Sequence, residues 1–114
     1  MNPRPCICLN EPLTFDQYNQ VRFVGVDETK GRFGEVNIWQ CKRCGQHWLH
    51  YLVEYEAFPK SGRYFMGLIT PELAETLSPD AAVDYLNKLE WHFYGGSYFD
   101  GKKGKSKGQV HADL

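Results

Sequence analysis

The four cysteines of this 114-residue chain occur in two tight pairs, and their spacing constrains the fold more than any other feature. Cys6 and Cys8 form a C-x-C pair near the amino terminus. Cys41 and Cys44 form a C-x-x-C pair that is followed by Gly45. A C-x-x-C-G turn directs two sulfurs toward one ion, and its glycine can adopt the positive φ that closes the turn. Because a domain of this size has a small core, a metal that joins the two pairs would stabilise it.

The expected compartment also favours metal binding over disulfide formation. The opening MNPRPCICLNEP lacks the apolar core of a secretion signal, and no apolar run reaches the roughly 20 residues that span a bilayer. We therefore expect a cytoplasmic protein, and stable disulfides are rare in that reducing compartment. A redox dithiol at Cys41 and Cys44 is a weaker hypothesis, because thioredoxin-type motifs open a helix and strands are predicted on both sides here.

Residue patterns predict an α+β fold with a four-stranded antiparallel sheet. Alternating, β-branched or aromatic residues mark four strands, in segments 21–26, 33–41, 47–58 and 63–69. Thr70 and Ser78 each precede a proline and an acidic residue, which is typical of a helix start. One or two carboxy-terminal helices are therefore expected to pack on the sheet.

The second helix has an alternative interpretation. Ala82, Leu86, Leu89 and Phe93 form an apolar stripe at helical spacing, which favours a helix that ends at the glycines 95 and 96. Alternatively, the four successive rings of the sequence WHFY, residues 91–94, leave the helix and form a strand, since such runs favour extended structure. The helix is the preferred interpretation.

Charge and composition predict one folded domain over residues 1–100 and a flexible tail over residues 101–114. Residues 1–100 carry 9 basic and 13 acidic side chains, a net charge of −4. The tail is rich in lysine and glycine, with 4 lysines and 1 aspartate, a net charge of +3. It has too little apolar content to offset the entropy of ordering its backbone.

Segment 39–48 resembles a zinc ribbon, a group of proteins that hold zinc at the tips of hairpins. Cys41, Cys44 and Gly45 match the second knuckle of that pattern, and the predicted strands on both sides match its hairpin. A zinc ribbon has a second C-x-x-C, whereas the first pair here is C-x-C, so the resemblance covers only the metal clip and its hairpin. The resemblance implies a metal site that holds zinc. Iron, as in a rubredoxin-like centre, is the less favoured metal.

The expected ligand set is Cys6, Cys8, Cys41 and Cys44. A mixed site in which His47 or His50 replaces a cysteine, and the absence of any metal, are the alternatives. Four thiolates leave no open coordination position, so the zinc would be structural. The sequence also shows no nucleophile elbow, phosphate loop, dinucleotide fingerprint or HExxH motif, so an enzyme is not indicated.

The favoured function is a non-catalytic protein-interaction module. One alternative is a nucleic-acid-associated factor, because Lys42 and Arg43 lie at the predicted knuckle tip, although the acidic body argues against it. A second alternative is a small enzyme with an aromatic pocket near His92. Four further side chains are candidates for binding an anion or a partner, although turn charges and core packing explain them more simply: Lys60, Arg63, Trp91 and Tyr94.

Overall fold

The protein forms one antiparallel sheet with two short helices. A computed structural model describes residues 7–9, 14–29, 33–53, 62–96, 99 and 101–108. The strands are β1 (Tyr18–Asp27), β2 (Gly34–Cys41), β3 (His47–Val53), β4 (Arg63–Leu68), β5 (His92–Gly95) and β6 (Gly104–Ser106), and each pairs with the next. Helices α1 (Pro71–Thr76) and α2 (Ala82–Lys88) connect β4 to β5. The expected α+β class is confirmed, and neither of these helices could cross a membrane.

The sheet has six strands rather than the predicted four, and β5 replaces the end of the preferred second helix. Helix α2 ends at Lys88, and Leu89 already has the extended backbone φ −72°, ψ 151°. Phe93 then pairs with Met66 of β4, so the strand alternative for the WHFY run is the correct one. Successive bulky rings fit a pleated surface better than a helix, and β5 satisfies backbone groups of β4 that would otherwise lack partners.

The sixth strand lies within the segment that the sequence predicts to be a flexible tail. Lys105 of β6 pairs with Phe93 of β5, and its ammonium lies 4.3 Å from the centre of the Trp91 ring. A cation over an aromatic face is attracted by the ring quadrupole, which helps to hold this short edge strand. The domain boundary at residue 101 remains a prediction, since residues 109–114 lie outside the described part.

The two faces of the sheet carry separate apolar clusters. The helix face packs against α1 and α2, and its buried members include Val36, Ile38, Leu49, Tyr51, Val53, Phe65, Ala74, Val83 and Leu86. The opposite face, here called the cysteine face, buries Cys8, Tyr18, Cys41, Trp48, Met66 and Phe93. Because β3 lies in the middle of the sheet, its alternate residues enter both clusters, which explains why almost the whole strand is buried.

Local chemistry places the helices on the helix face. The Thr70 hydroxyl caps α1 by accepting a hydrogen bond from the Leu73 backbone N–H at 3.3 Å, as the sequence predicts. Gly67 of β4 lets α2 approach closely, because a Cβ atom there would lie 2.3 Å from Leu89 Cδ1 and 2.8 Å from Leu86 Cδ2. The sheet and α2 therefore pack closely at Gly67, where a side chain would keep them apart.

Tyr51→Phe is expected to destabilise the protein by about 1–3 kcal/mol, because it removes a donor from a buried carboxylate. The Tyr51 hydroxyl donates to Asp27 Oδ2 at 2.6 Å, and both residues are fully buried. Urea unfolding measures the loss. Tyr85→Phe is the matched control: its hydroxyl donates to the Leu68 carbonyl at 2.6 Å in a half-buried position, so a smaller loss is expected. Equal losses in the two variants would contradict this assignment.

Candidate metal centre

Three cysteine sulfurs converge at the edge of the cysteine face. The Sγ atoms of Cys8, Cys41 and Cys44 all lie within 4.8 Å of one another. Cys8 Sγ and Cys44 Sγ are 3.5 Å apart, well beyond the 2.05 Å or so of a disulfide bond. Tetrahedral zinc with Zn–S bonds of about 2.3 Å requires sulfurs about 3.8 Å apart. The cluster therefore has the size that one metal ion needs.

Cys41 and Cys44 are positioned by a tight turn between β2 and β3. Cys41 is the last residue of β2, and its carbonyl accepts the Gly45 N–H at 2.9 Å. Gly45 has φ +78°, a value that residues with side chains rarely adopt, so the predicted role of this glycine is confirmed. The Cys41 N–H in turn donates to the Gln46 carbonyl at 2.9 Å, which closes the hairpin. The turn thereby places the Cys41 and Cys44 sulfurs within 4.8 Å of each other.

Backbone and side-chain hydrogen bonds fix this turn further. The Arg43 backbone N–H points at Cys41 Sγ, with an N–S distance of 3.4 Å, and such a donor stabilises a thiolate. Gln17, just before β1, accepts the Lys42 N–H with its backbone carbonyl at 2.9 Å. The Gln17 side-chain oxygen also accepts Arg43 Nε at 3.3 Å. Gln17 is a supporting residue without a recognisable sequence signal, because its position depends on the pairing of β1 with β2.

Cys8 reaches the turn from the amino-terminal segment. It lies in a short 3₁₀ turn, Ile7–Leu9, and is fully buried within the cysteine-face cluster. Cys41 is also buried, whereas Cys44 is exposed. One ion at this cluster would thus join the 3₁₀ turn Ile7–Leu9 to the tip of the β2–β3 hairpin.

The structure brings together three of the four predicted ligands. Cys6 lies outside the described residues, so its role remains a prediction. Among the residues that the structure describes, the group able to hold a metal contains cysteines only, and neither His47 nor His50 belongs to it. His50 instead stacks between Trp39 and Tyr64, with ring centres 3.8 Å and 5.6 Å away.

The stability of the protein is expected to fall as the pH drops below about 6.5, because of His50. Burial lowers the pKa of His50 from 6.5 to about 3. Between these values the unfolded chain binds a proton that the folded protein does not, so the free energy of unfolding decreases toward acid. The slope from this one group is at most about 1.4 kcal/mol per pH unit.

Urea unfolding of the wild type and of His50→Phe at a series of pH values tests this expectation. Phenylalanine can keep the ring stacking but has no proton to bind, so the variant should show a shallower pH dependence. Acid release of a thiolate-bound metal would affect both proteins alike, so the difference between them isolates His50. Parallel pH curves would contradict the assignment.

The structure describes three of the other four predicted binding residues: Arg63, Trp91 and Tyr94. Arg63 begins β4 and is 1% exposed, so it is not a solvated turn charge, while Lys60 lies outside the described residues. Trp91 and Tyr94 are half-buried and pack against Phe93 and Phe99 respectively. Binding of an anion or a partner by these residues remains a prediction.

His92, the centre of the proposed enzyme alternative, is 2% exposed and makes a T-shaped contact with the Phe65 ring. A dissolved substrate would not reach this side chain without movement of the surrounding core. A hollow of about 380 Å³ lies elsewhere, beside the turn between β2 and β3. It is lined by Gly45, Gln46, His47, Leu68, Ile69, Thr70, Pro71 and Tyr85. Sequence analysis missed this cleft, because its walls meet only after the sheet and helices pack.

No family model, curated protein or solved structure is significantly similar to this chain. The chemistry of the site is therefore the basis for assigning a function.

Proposed function

We propose that this protein is a small zinc-binding module in which the metal is structural. The observation that carries the proposal is the convergence of Cys8 Sγ, Cys41 Sγ and Cys44 Sγ within 4.8 Å. Thiolate ligands select zinc, copper(I) or iron–sulfur chemistry over magnesium or calcium, and structural zinc sites are almost always tetrahedral with cysteine or histidine ligands. The N–H donor on Cys41 Sγ and the Gly45 turn fit such a centre.

Cys6 is the proposed fourth ligand. One residue separates it from Cys8, so a bend at Ile7 can direct both sulfurs toward one ion. With four thiolates the coordination sphere is closed and offers no position for a reactive water. The role of such an ion is to hold the amino-terminal segment against the knuckle, not to perform a reaction.

Metal analysis of the purified full chain tests this function. We expect one zinc per chain in the wild type and its loss in Cys8→Ser, Cys41→Ser and Cys44→Ser. Arg43→Ala is the matched control, because it changes the same turn but keeps the N–H that points at Cys41 Sγ, so it should keep its zinc. Zinc content that is unchanged in the cysteine variants would refute the site, and a red iron-loaded protein would refute zinc as its metal.

We further propose that the module acts by contacting another protein. Three apolar side chains of β1, which lies at the edge of the sheet, are unusually exposed: Val21, Phe23 and Val26. The side chain of Phe23 is the most exposed of the three, at 54%. Water contact with apolar groups is unfavourable, so exposed aromatic side chains are enriched at interfaces.

A photo-crosslinking amino acid at position 23 tests this interaction in the native host. Leu73 on α1 is the control position, since it is 48% exposed but lies on a different element. We expect one discrete crosslinked protein from position 23, none from position 73, and loss of the product in the Cys41→Ser background. The same products from both positions would show nonspecific contact and refute the proposed surface.

A second candidate function is nucleic-acid binding through the knuckle tip. Lys42 and Arg43 are both exposed there, beside Cys44, where they could contact phosphates. Such binding must weaken steeply as salt rises, because each neutralised phosphate releases counterions. Binding of single-stranded or duplex DNA that is lost in the double variant Lys42→Ala/Arg43→Ala would favour this candidate, whereas salt-independent binding would exclude it.

A further inference from the structure

The three clustered sulfurs belong to cysteines that differ in their access to solvent. Cys44 is exposed, whereas Cys8 and Cys41 are buried. The sulfur of Cys8 lies 3.5 Å from that of Cys44, although 36 residues separate the two in sequence. A dissolved oxidant would therefore meet Cys44 first, with a second thiolate already beside it.

We propose that the metal centre is a peroxide-responsive switch in which oxidation joins Cys8 to Cys44 by a disulfide and releases the ion. The inference rests on the proposed function, because it concerns the regulation of the same zinc site. It assigns different roles to chemically identical ligands: Cys44 is oxidised first, Cys8 forms the disulfide with it, and Cys41 does not react.

The chemistry requires one peroxide molecule, with hydrogen peroxide as the oxidant. The Cys44 sulfur attacks one peroxide oxygen, the O–O bond breaks, and the departing hydroxide takes up a proton to leave as water; the product is a sulfenic acid. The Cys8 thiolate then attacks Cys44 Sγ, forming the S–S bond and expelling hydroxide, which is protonated to a second water. Two thiolates lose two electrons in total and one peroxide gains them.

Loss of two thiolates removes half of the proposed ligands, so the ion is no longer held. A disulfide sulfur carries no negative charge and is a poor zinc ligand, since the thiolate is the metal-binding form. Two sulfurs would remain, Cys41 and the proposed Cys6. Release of the ion therefore follows from the disulfide without any other change in the protein.

Two features favour Cys8 over Cys41 as the partner of Cys44. The Cys41 sulfur accepts the Arg43 backbone N–H at 3.4 Å, and a thiolate that receives a hydrogen bond is a weaker nucleophile. The Cys8–Cys44 link would also keep the amino-terminal segment attached to the knuckle after the ion has left. A reductant would then regenerate a preassembled site, which makes the switch reversible.

The test uses the zinc-loaded full chain, treated with hydrogen peroxide while a zinc-sensitive dye reports release. Trypsin cleaves after Lys42 and after Arg43, so it places Cys41 and Cys44 on separate peptides. Tandem mass spectrometry without reduction then identifies the linked cysteines and separates Cys8 from Cys6 by the bond at Ile7. We expect loss of the bound zinc, a Cys8–Cys44 disulfide, and rebinding of zinc after a thiol reductant is added.

The outcomes separate this inference from the proposed function. Zinc that stays bound in peroxide, or release with a Cys41–Cys44 or Cys6–Cys44 link, would overturn the switch and leave the zinc site standing. A chain that binds no zinc at all would overturn both. Dimedone, which traps sulfenic acids, provides a second measurement on the wild-type chain: brief peroxide treatment should label Cys44, and a label on Cys8 or Cys41 instead would overturn the switch.

Discussion

Cys41→Ser is expected to abolish the cooperative unfolding of this protein. Structural zinc in small domains binds with about 10–16 kcal/mol, which is comparable to or larger than the roughly 5–15 kcal/mol that holds a typical domain folded. Cys41 ends β2 and its sulfur lies within 4.8 Å of those of Cys8 and Cys44, so loss of this ligand would release the ion that joins the amino-terminal segment to the hairpin. Circular dichroism during a thermal scan should show a broad, low-temperature transition instead of a sharp one.

Two controls identify the metal as the cause. Wild-type protein treated with a strong chelator should reproduce the broad transition, and addition of zinc should restore the sharp one. Arg43→Ala should melt close to the wild type, because its exposed side chain contributes little beyond the contact with Gln17. A Cys41→Ser protein that melts as sharply as the wild type, or a wild type that ignores the chelator, would contradict a structural metal.

Trp48→Ala is expected to cost about 3–5 kcal/mol of folding free energy, the second largest effect. Trp48 is fully buried on the cysteine face, where its ring lies 5.2 Å from that of Phe93 and 6.0 Å from that of Trp91. The indole Nε1 has no hydrogen-bond partner among the described residues, so we assign the cost to lost packing and to the cavity left behind. Urea unfolding of the zinc-loaded protein measures it.

Two further variants test whether the loss of stability is specific to the buried indole of Trp48. Trp48→Phe keeps an aromatic ring and should lose less, while Trp91→Ala removes a half-buried indole and should also lose less than Trp48→Ala. Zinc content should stay at one per chain in both, since neither residue supplies a ligand. A Trp48→Ala protein as stable as Trp91→Ala would mean that the cysteine face is not a packed core.

The outline of the fold follows from local sequence signals, and the errors arise where tertiary pairing decides. Strands β1 to β4 and the Thr70 cap are predicted correctly, because alternation and capping are local properties. The segment that begins at Leu89 satisfies a helical period and also carries strand-forming rings, so periodicity alone could not decide it. The unpaired edge of β4 favours the strand, and that edge is not visible in a local window.

Strand β6 is a second element that local sequence could not predict. The segment around Lys105 has the composition of a mobile tail, but it gains backbone pairing and an aromatic neighbour from β5. Composition describes what a segment can bury by itself, and it omits the contacts that another strand offers. Only the position of β5 makes these contacts available.

The cysteine cluster was more predictable than the fold, because the spacing of cysteines is a local property with few alternative explanations. Cys41, Cys44 and Gly45 encode the knuckle within five residues. The convergence of Cys8 with them followed from chemistry, since a tetrahedral ion needs more ligands than one turn supplies. The difference in exposure between Cys44 and Cys8 depends on packing of the cysteine face and could not be predicted from spacing.

X-ray absorption at the zinc edge of the purified full chain identifies the atoms that surround the ion. We expect one zinc per chain, surrounded by four sulfurs at about 2.3 Å, and three sulfurs with one lighter atom around the zinc that Cys6→Ser retains. A first shell dominated by nitrogen or oxygen in the wild type, or a chain without bound metal, would contradict this expectation.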